Sequence, residues 1–522
     1  MRLRSVCATL FALAVASAGV FGQLIDSNKA PNAANEGIAR PLTGFPYPSQ
    51  IGEGRIGTDL NTSQNVIAFD PFRAIRRGRQ LFQRKFTRLE GQGPGFGDGF
   101  GNVHVDLAIG AGLADSCAAC HGRPRGSAGF GGDVVTRPDS RDAPHLFGLG
   151  LKEMLADEIT TDLRAMRDQA VGLAARRGIP ISRRLRSKGI GYGTITAFPD
   201  GRVDTSEVEG VDADLRVRPF FFHGGTISIR EFVIGALKAE MGLAMAGDPD
   251  LLGARLGPVT TAGGMVLNGL IDTIEQPPAE EGDIGSIEQR TALVDYLEFY
   301  LLNYFKAGTG EQTAAVTQGR KVFRETGCAT CHIPNLQLLR DRRVADVETV
   351  FDPVNGNFNR IYATARLLLA NPSSIGEPQA RKVPGYQPFV VENIYTDFKR
   401  HDLGPAFHER GYDGTLRTHF QTTPLWGVGS TPPYGHDGRS INLVEVILRH
   451  GGEAQAARDE FASRPPADRD AVIAFLNSLI VFPPDDTASN LDPGDRSAAG
   501  FPQFRHGSVR LTVLFNNPAI VE

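Results

Sequence analysis

The sequence predicts a mainly α-helical chain of two related domains with one small β-hairpin insertion. Three observations carry that expectation. A Cys-x-x-Cys-His pattern occurs twice, each copy stands between the same kinds of flanking segment, and one stretch alone, between Leu149 and Pro219, reads as strand. A chain of 522 residues exceeds what one hydrophobic core usually supports, and a hydrophobic content of 41% suffices for two.

In chain order, the first 22 residues, MRLRSVCATLFALAVASAGVFG, combine two arginines, an apolar run from Val6 to Val15 and small residues at Ala16, Ser17, Ala18 and Gly22. That is the layout of a cleaved signal peptide, and it predicts a periplasmic or otherwise exported protein. Cys7 lies inside the apolar run, away from a plausible cleavage site, so lipid attachment is not expected. No later stretch approaches the roughly 20 apolar residues of a membrane span, so no stable membrane insertion is expected after signal cleavage. Residues 23–70 read as an N-terminal arm. The first domain, 71–305, opens with the amphipathic segment Arg77-Gly-Arg-Gln-Leu-Phe-Gln83 and passes a Gly-rich insertion at 91–102 before Cys117. It then reaches Phe222-His-Gly-Gly225 and a helical run with apolar positions at Ile229, Phe232, Val233 and Leu237. Within it, the runs Tyr192 to Phe198 and Val203 to Val211 flank Pro199-Asp-Gly-Arg202, a hairpin signal. An apolar-faced helix over 287–305 closes the domain, and 306–310 supplies a linker. The second domain, 311–482, repeats the plan: Gln318-Gly-Arg-Lys-Val-Phe-Arg324 leads to Cys328, and Gly435-His-Asp-Gly438 leads to NLVEVILRH. Residues 467–482 read as a last helix and 483–522 as a tail over the surface.

Basic and acidic residues nearly balance, 55 against 59 for a formal charge of −4, which argues against a nucleic-acid partner. Without the leader, four cysteines remain: Cys117, Cys120, Cys328 and Cys331, each pair followed at once by a histidine. A C-x-x-C loop is short and strained as a structural disulfide. C-x-x-C-H is the attachment signature of c-type haem. Two thiols add across the porphyrin vinyl groups, and the adjacent imidazole, His121 or His332, becomes an iron ligand. The competing readings are a thioredoxin-like redox pair, which wants a strand-to-helix context, and half of a zinc site, which wants further thiols nearby. Two copies with no cysteine left over favour two covalently bound haem c groups, and with them two cytochrome c-like haem domains.

The downstream blocks resemble the bacterial di-haem cytochrome c peroxidase superfamily, and above all its di-haem oxidoreductase branch. The most specific block is TPLWGVGSTPPYGHDGRSINLVEVILRHGGEA, Thr423 to Ala454, and a second is Arg141-Asp-Ala-Pro144. The resemblance implies a division of labour, with peroxide bound at the N-terminal iron and electrons received from a small donor protein or redox carrier at the C-terminal one. It places the distal ligand of the second iron at His450, which with His332 makes a bis-imidazole iron of lower potential than a His/Met one. The other reading of His450 is a capping histidine before Gly451-Gly452. His436 is expected to orient the turn between the domains. No histidine occurs between Gly122 and Pro144, so the first iron is expected to be open unless His145 or His223 closes it.

The resemblance also gives Glu240, in Glu240-Met241-Gly242, as the catalytic acid-base residue. It gives Asp142 with the carbonyls of Thr431 and Pro433 as ligands of a calcium ion. There are departures: Phe222 stands where many relatives have tryptophan, His223 where they have aspartate, and the only tryptophan is Trp426. His104, His401, His408, His419 and His506 are read as surface groups or supports of ligating residues. The functional expectation is an exported di-haem c-type cytochrome that reduces peroxide or a similar small oxidant. The alternative is a non-catalytic electron-transfer di-haem cytochrome, and a third reading, disfavoured by Phe222, is a haem-bearing oxidase acting on a protein or small molecule.

Overall fold

The computed structural model describes residues 55, 62–69, 71–86, 92, 114–122, 128, 142–243, 247–274, 291–304, 308–344, 347–352, 357–363, 367–372, 378–382, 388–410 and 414–480. The signal segment, nearly all of the arm before Thr62, the Gly-rich insertion apart from Gln92, and the C-terminal tail lie outside these residues.

The repeated amphipathic segments are helices that cross a second helix at a glycine. In the first half Pro71–Gln83 packs on Thr291–Asn303, and a Cβ on Gly78 would lie 2.1 Å from the Tyr296 carbonyl oxygen and 2.5 Å from Tyr300 Cβ. In the second half Ala314–Glu325 packs on Pro466–Asn477, and a Cβ on Gly319 would lie 1.8 Å from the Ala471 carbonyl oxygen and 2.9 Å from Phe475 Cβ. Neither approach leaves room for a side chain. Four residues on, on the same helix face, Phe82 meets Tyr300 edge-on at 5.8 Å and Phe323 meets Phe475 edge-on at 5.3 Å. Glycine and phenylalanine thus do the same work at the same spacing in both halves.

The second repeated unit is a turn followed by a capped helix. Phe220 bridges Thr226 and Tyr434 bridges Ser440, each across a turn containing a left-handed glycine, Gly224 at φ +71° and Gly438 at φ +64°. Ser228 then caps Ile229–Met241 by accepting from the Glu231 N–H, and Asn442 caps Leu443–Arg449 by accepting from the Glu445 N–H. Both glutamates reach back to a backbone N–H, Glu231 to Ile227 and Glu445 to Ile441. The rings of Phe222 and His436, at equivalent places in the two turns, lie 6.1 Å apart, so the turns face one another.

Helix outweighs strand among the described residues, but the expectation of a mainly α fold of two cytochrome c-like domains with one hairpin is corrected: the fold is mixed α/β, with several small sheets. Among the described residues there are eight, one of three strands and seven of two. In the first, Ile190–Ala197 pairs with Val203–Asp204 about the Pro199–Arg202 turn and, on its other edge, with Ile181–Ser187. It lies on the long helix Leu149–Arg177, where Leu155, Ile159 and Leu163 share a core with Leu185, Tyr192 and Ile195. Two more antiparallel pairs, Val347–Asp352 with Asn357–Ala363 and Leu367–Pro372 with Pro378–Lys382, lie in the second half. The shortest pairs join distant segments: Leu336–Leu338 with Phe389–Val391, and Gly308–Thr309 with Leu479–Ile480. Strands of two or three residues cannot display a two-residue alternation, so helical periodicity dominates the sequence.

Candidate haem sites

Cys117–His121 is one short helix, capped by the Ser116 hydroxyl accepting from the Ala119 N–H at 3.1 Å. Helical spacing puts Cys117, Cys120 and His121 on one face, as a porphyrin edge and its iron require. The second motif is a single 3-10 turn, Cys328–Thr330, entered through Gly327 at φ +86°.

The histidines decide what these motifs can hold. The His121 Nδ1–H donates to the Pro144 carbonyl at 2.8 Å, the His332 Nδ1–H to the Tyr395 carbonyl at 3.1 Å, and the His450 Nδ1–H to the Val446 carbonyl at 2.7 Å. A carbonyl only accepts, so each bond fixes the proton on Nδ1 and leaves Nε2 as a bare lone pair. Burial holds the rings neutral: it pushes His121 and His332 down to about 4 and lowers His450 as well. All three histidines are half-buried rather than sealed in the core. Neutral, desolvated imidazoles with Nδ1 engaged and the Nε2 lone pair left over fit an iron. His450 also lies close enough to His332 for its charge to bear on that ring. The capping and ligating readings of His450 are compatible, because Nδ1 caps the helix end and Nε2 stays available.

The thiols point the same way. Burial pushes Cys117 up to about 12 and Cys120 up to about 11, and raises Cys328. A redox dithiol needs a depressed thiol, so the thioredoxin-like reading loses its chemistry. No two of the four described cysteines are bonded to each other. Among the described residues, one group offers three ligand atoms within reach of one cation, Cys331 with Asp397 and His401. No such group gathers around Cys117.

Glu240 stands half-buried near the end of Ile229–Met241, where its carbonyl accepts from the Ala114 N–H at 3.1 Å. After burial, its carboxylate is the next cause that raises the Cys120 thiol, so the fold brings it to the first motif. Aligning the halves at their caps, Ser228 with Asn442, sets Ala236 opposite His450. The first half therefore offers a methyl group where the second offers an imidazole, and Glu240 comes one helical turn further along that face.

His145 and His223, the residues that could close the first iron, are placed differently. The His145 Nε2–H donates to the Trp426 carbonyl at 2.9 Å, tying that ring to the second half, while His223 stacks on Phe221 with centroids 5.9 Å apart. His436 is buried, stacked on Phe420 at 4.0 Å, with Nε2 3.4 Å from the Glu409 carboxylate. Asp142 is buried against the turn it was expected to meet. Its N–H donates to the His436 carbonyl at 3.4 Å, and a Cβ on Gly438 would lie 3.1 Å from Asp142 Cβ and 3.3 Å from Pro433 Cγ. The Thr431 hydroxyl donates to the Gly427 carbonyl at 3.1 Å.

Two residues stand out only in the structure. His401 is buried beside Cys331, between Asp397 at 2.9 Å and Glu453 at 2.7 Å. Burial opposes its charge, but Asp397, then the Cys331 sulfur and Glu453, outweigh it and push the ring up to about 11. Lys152 sits 5.8 Å over the Phe220 ring, and burial pushes it down to about 8.

Residues 385–479 match the model of the family described as di-haem oxidoreductase, putative peroxidase. This is the branch that the Thr423 to Ala454 block resembles. The matched segment contains Tyr395, the His436 turn and His450. No curated protein matches the chain.

Proposed function

We propose that this protein is an exported di-haem oxidoreductase that reduces peroxide or a similar small oxidant at its first haem site, with electrons received from a small donor at its second. The observation that carries the reading is the difference between the two equivalent helices: His450 on one, Ala236 followed by Glu240 on the other. When bound, each haem supplies one-electron redox chemistry at iron. Cys117 and Cys120 hold the first, Cys328 and Cys331 the second. His121 and His332 present Nε2 because Pro144 and Tyr395 hold their Nδ1 protons. His450 would offer a second Nε2 to the haem held at His332, and with it the chemistry of a bis-imidazole iron. Glu240 takes a proton from one peroxide oxygen and returns it to the other, which is the role a carboxylate beside an open position can fill. Asp142, with the carbonyls of Thr431 and Pro433, offers hard oxygen ligands to a calcium ion where the two halves meet.

The reading is tested by the Glu240→Gln variant. It keeps the side-chain size and removes the acid, so peroxide turnover is expected to fall about 10²–10⁴-fold with haem content unchanged. Turnover equal to the parent would remove Glu240 from the mechanism.

A further inference from the structure

His145 is a half-buried group that the proposed reaction does not use. Its ring sits between the two proximal ligands in a specific sense. The Pro144 carbonyl, which holds His121, belongs to the peptide unit that begins His145, and the other end of the His145 side chain donates from Nε2 to the Trp426 carbonyl at 2.9 Å. The neighbouring residue, Leu425, donates its N–H to the Ile394 carbonyl at 2.9 Å. Ile394 precedes Tyr395, whose carbonyl holds His332 at 3.1 Å. The two imidazoles 211 positions apart in sequence are thus joined through four hydrogen bonds and one short strap, Leu425-Trp426.

We propose that His145 is a positioning residue that couples the two haem sites, so that the redox state of one haem sets the electron affinity of the other through the Leu425-Trp426 strap. This rests on the functional reading above. The physical route is the proximal hydrogen bond. Oxidising an iron makes the Nδ1–H of its imidazole more acidic and tightens the bond to its carbonyl, and the strength of that bond in turn tunes the iron's potential. At its second-haem end this route is close-packed, with Ile394, Tyr395 and Trp426 each 3% exposed or less, so a shift there is passed on, while Leu425 and His145 are half-buried. Only one His145 nitrogen is committed, and burial pushes the ring down to about 4, so the link is a neutral N–H donor. Linkage makes the effect reciprocal, with each haem shifting the other by the same factor.

The test is a mediated spectroelectrochemical titration of the full haem-loaded chain, following each haem by its own bands. In the parent, reducing the second haem is expected to change the electron affinity of the first by about tenfold, which is 59 mV for a one-electron couple. His145→Leu removes the donor, and most of that interaction is expected to vanish while both haems and their spin states remain. His145→Gln keeps an N–H of similar reach and is expected to restore it, an outcome that a merely space-filling role would not produce. Full interaction in His145→Leu with both haems present, or no rescue by His145→Gln, would overturn the coupling alone. A parent chain carrying fewer than two haems would overturn the functional reading and this inference with it.

Discussion

The two halves use the same turn and the same cap, and then diverge in how long the helix runs. In the second half the helix stops after seven residues, and His450 leaves it at φ −59°, ψ 127° with Nε2 available beside His332. In the first half the helix runs for 13 residues, passes Ala236 and ends at Met241, carrying Glu240 to the first motif. The start of the longer helix is anchored by charge inside the protein: Arg230, buried, binds Asp248, Asp295 and Glu298, whereas the equivalent Val444 in the second half is exposed. On the proposed reading, one repeated scaffold would yield a coordinatively closed site and an open one, the difference resting on a few side chains rather than on a change of fold.

The sharpest way to break the comparison is to exchange its two key positions. Ala236→His is expected to place an imidazole at the first site, turn its haem low-spin and abolish peroxide turnover, a loss of 100-fold or more if general acid-base access to peroxide is what it blocks. His450→Ala should do the reverse, opening the second haem and making it high-spin. Optical spectra of the two variants decide the matter, and unchanged spin states in both would contradict the equivalence of Ala236 and His450.

How much of this was legible in the sequence follows from the range of each signal. The haem motifs, the Gly-x-x-x-Phe spacing shared by Gly78 with Phe82 and Gly319 with Phe323, and the capped helices were readable because each is set within about four residues. His121 and His332 were readable as candidate ligands, but not the carbonyls that orient them. Pro144 lies 23 positions from His121 and Tyr395 lies 63 from His332, and backbone carbonyls leave no mark in the sequence. The mixed fold escaped for the same reason: Gly308–Thr309 pairs with Leu479–Ile480 across the length of the second half. One signal was present and unused, the Asn355-Gly356 pair between Val347–Asp352 and Asn357–Ala363, a common hairpin dipeptide. His401 escaped because its partners, Asp397 and Glu453, come from both sides of the sequence.

The charged cluster of the first half sharpens the comparison through pH. Burial, opposed by Arg230 and by the Thr261 hydroxyl, pushes Glu298 up from 4.5 to about 7. A carboxyl whose folded value is raised contributes stability that is complete below its unfolded value and is lost as pH rises through the folded one. Thermal stability is therefore expected to fall between pH 4.5 and pH 7, by up to about 3 kcal/mol at about 1.4 kcal/mol per unit. Glu298→Gln should flatten that slope. An identical pH profile in the variant would show that Glu298 is not the group responsible.

A smaller effect is expected where the halves are alike. Gly78→Ala and Gly319→Ala each force a Cβ against a helix carbonyl, at 2.1 Å and 1.8 Å, and should each cost about 1–3 kcal/mol through displaced helices. Denaturant unfolding checks this. A loss at one glycine and none at the other would mean that the two crossings are not equivalent.

The central claim, two thioether-bound haems of unlike coordination, is tested most directly by one preparation. The mature chain, made in a host that matures c-type cytochromes, is assayed for haem per chain and examined by paramagnetic resonance in the oxidised state. The account predicts two haems that remain with the denatured polypeptide, one high-spin and one low-spin. A polypeptide that releases its haem or carries none, or two low-spin signals in the oxidised state with the first haem still low-spin once the second is reduced, would contradict it.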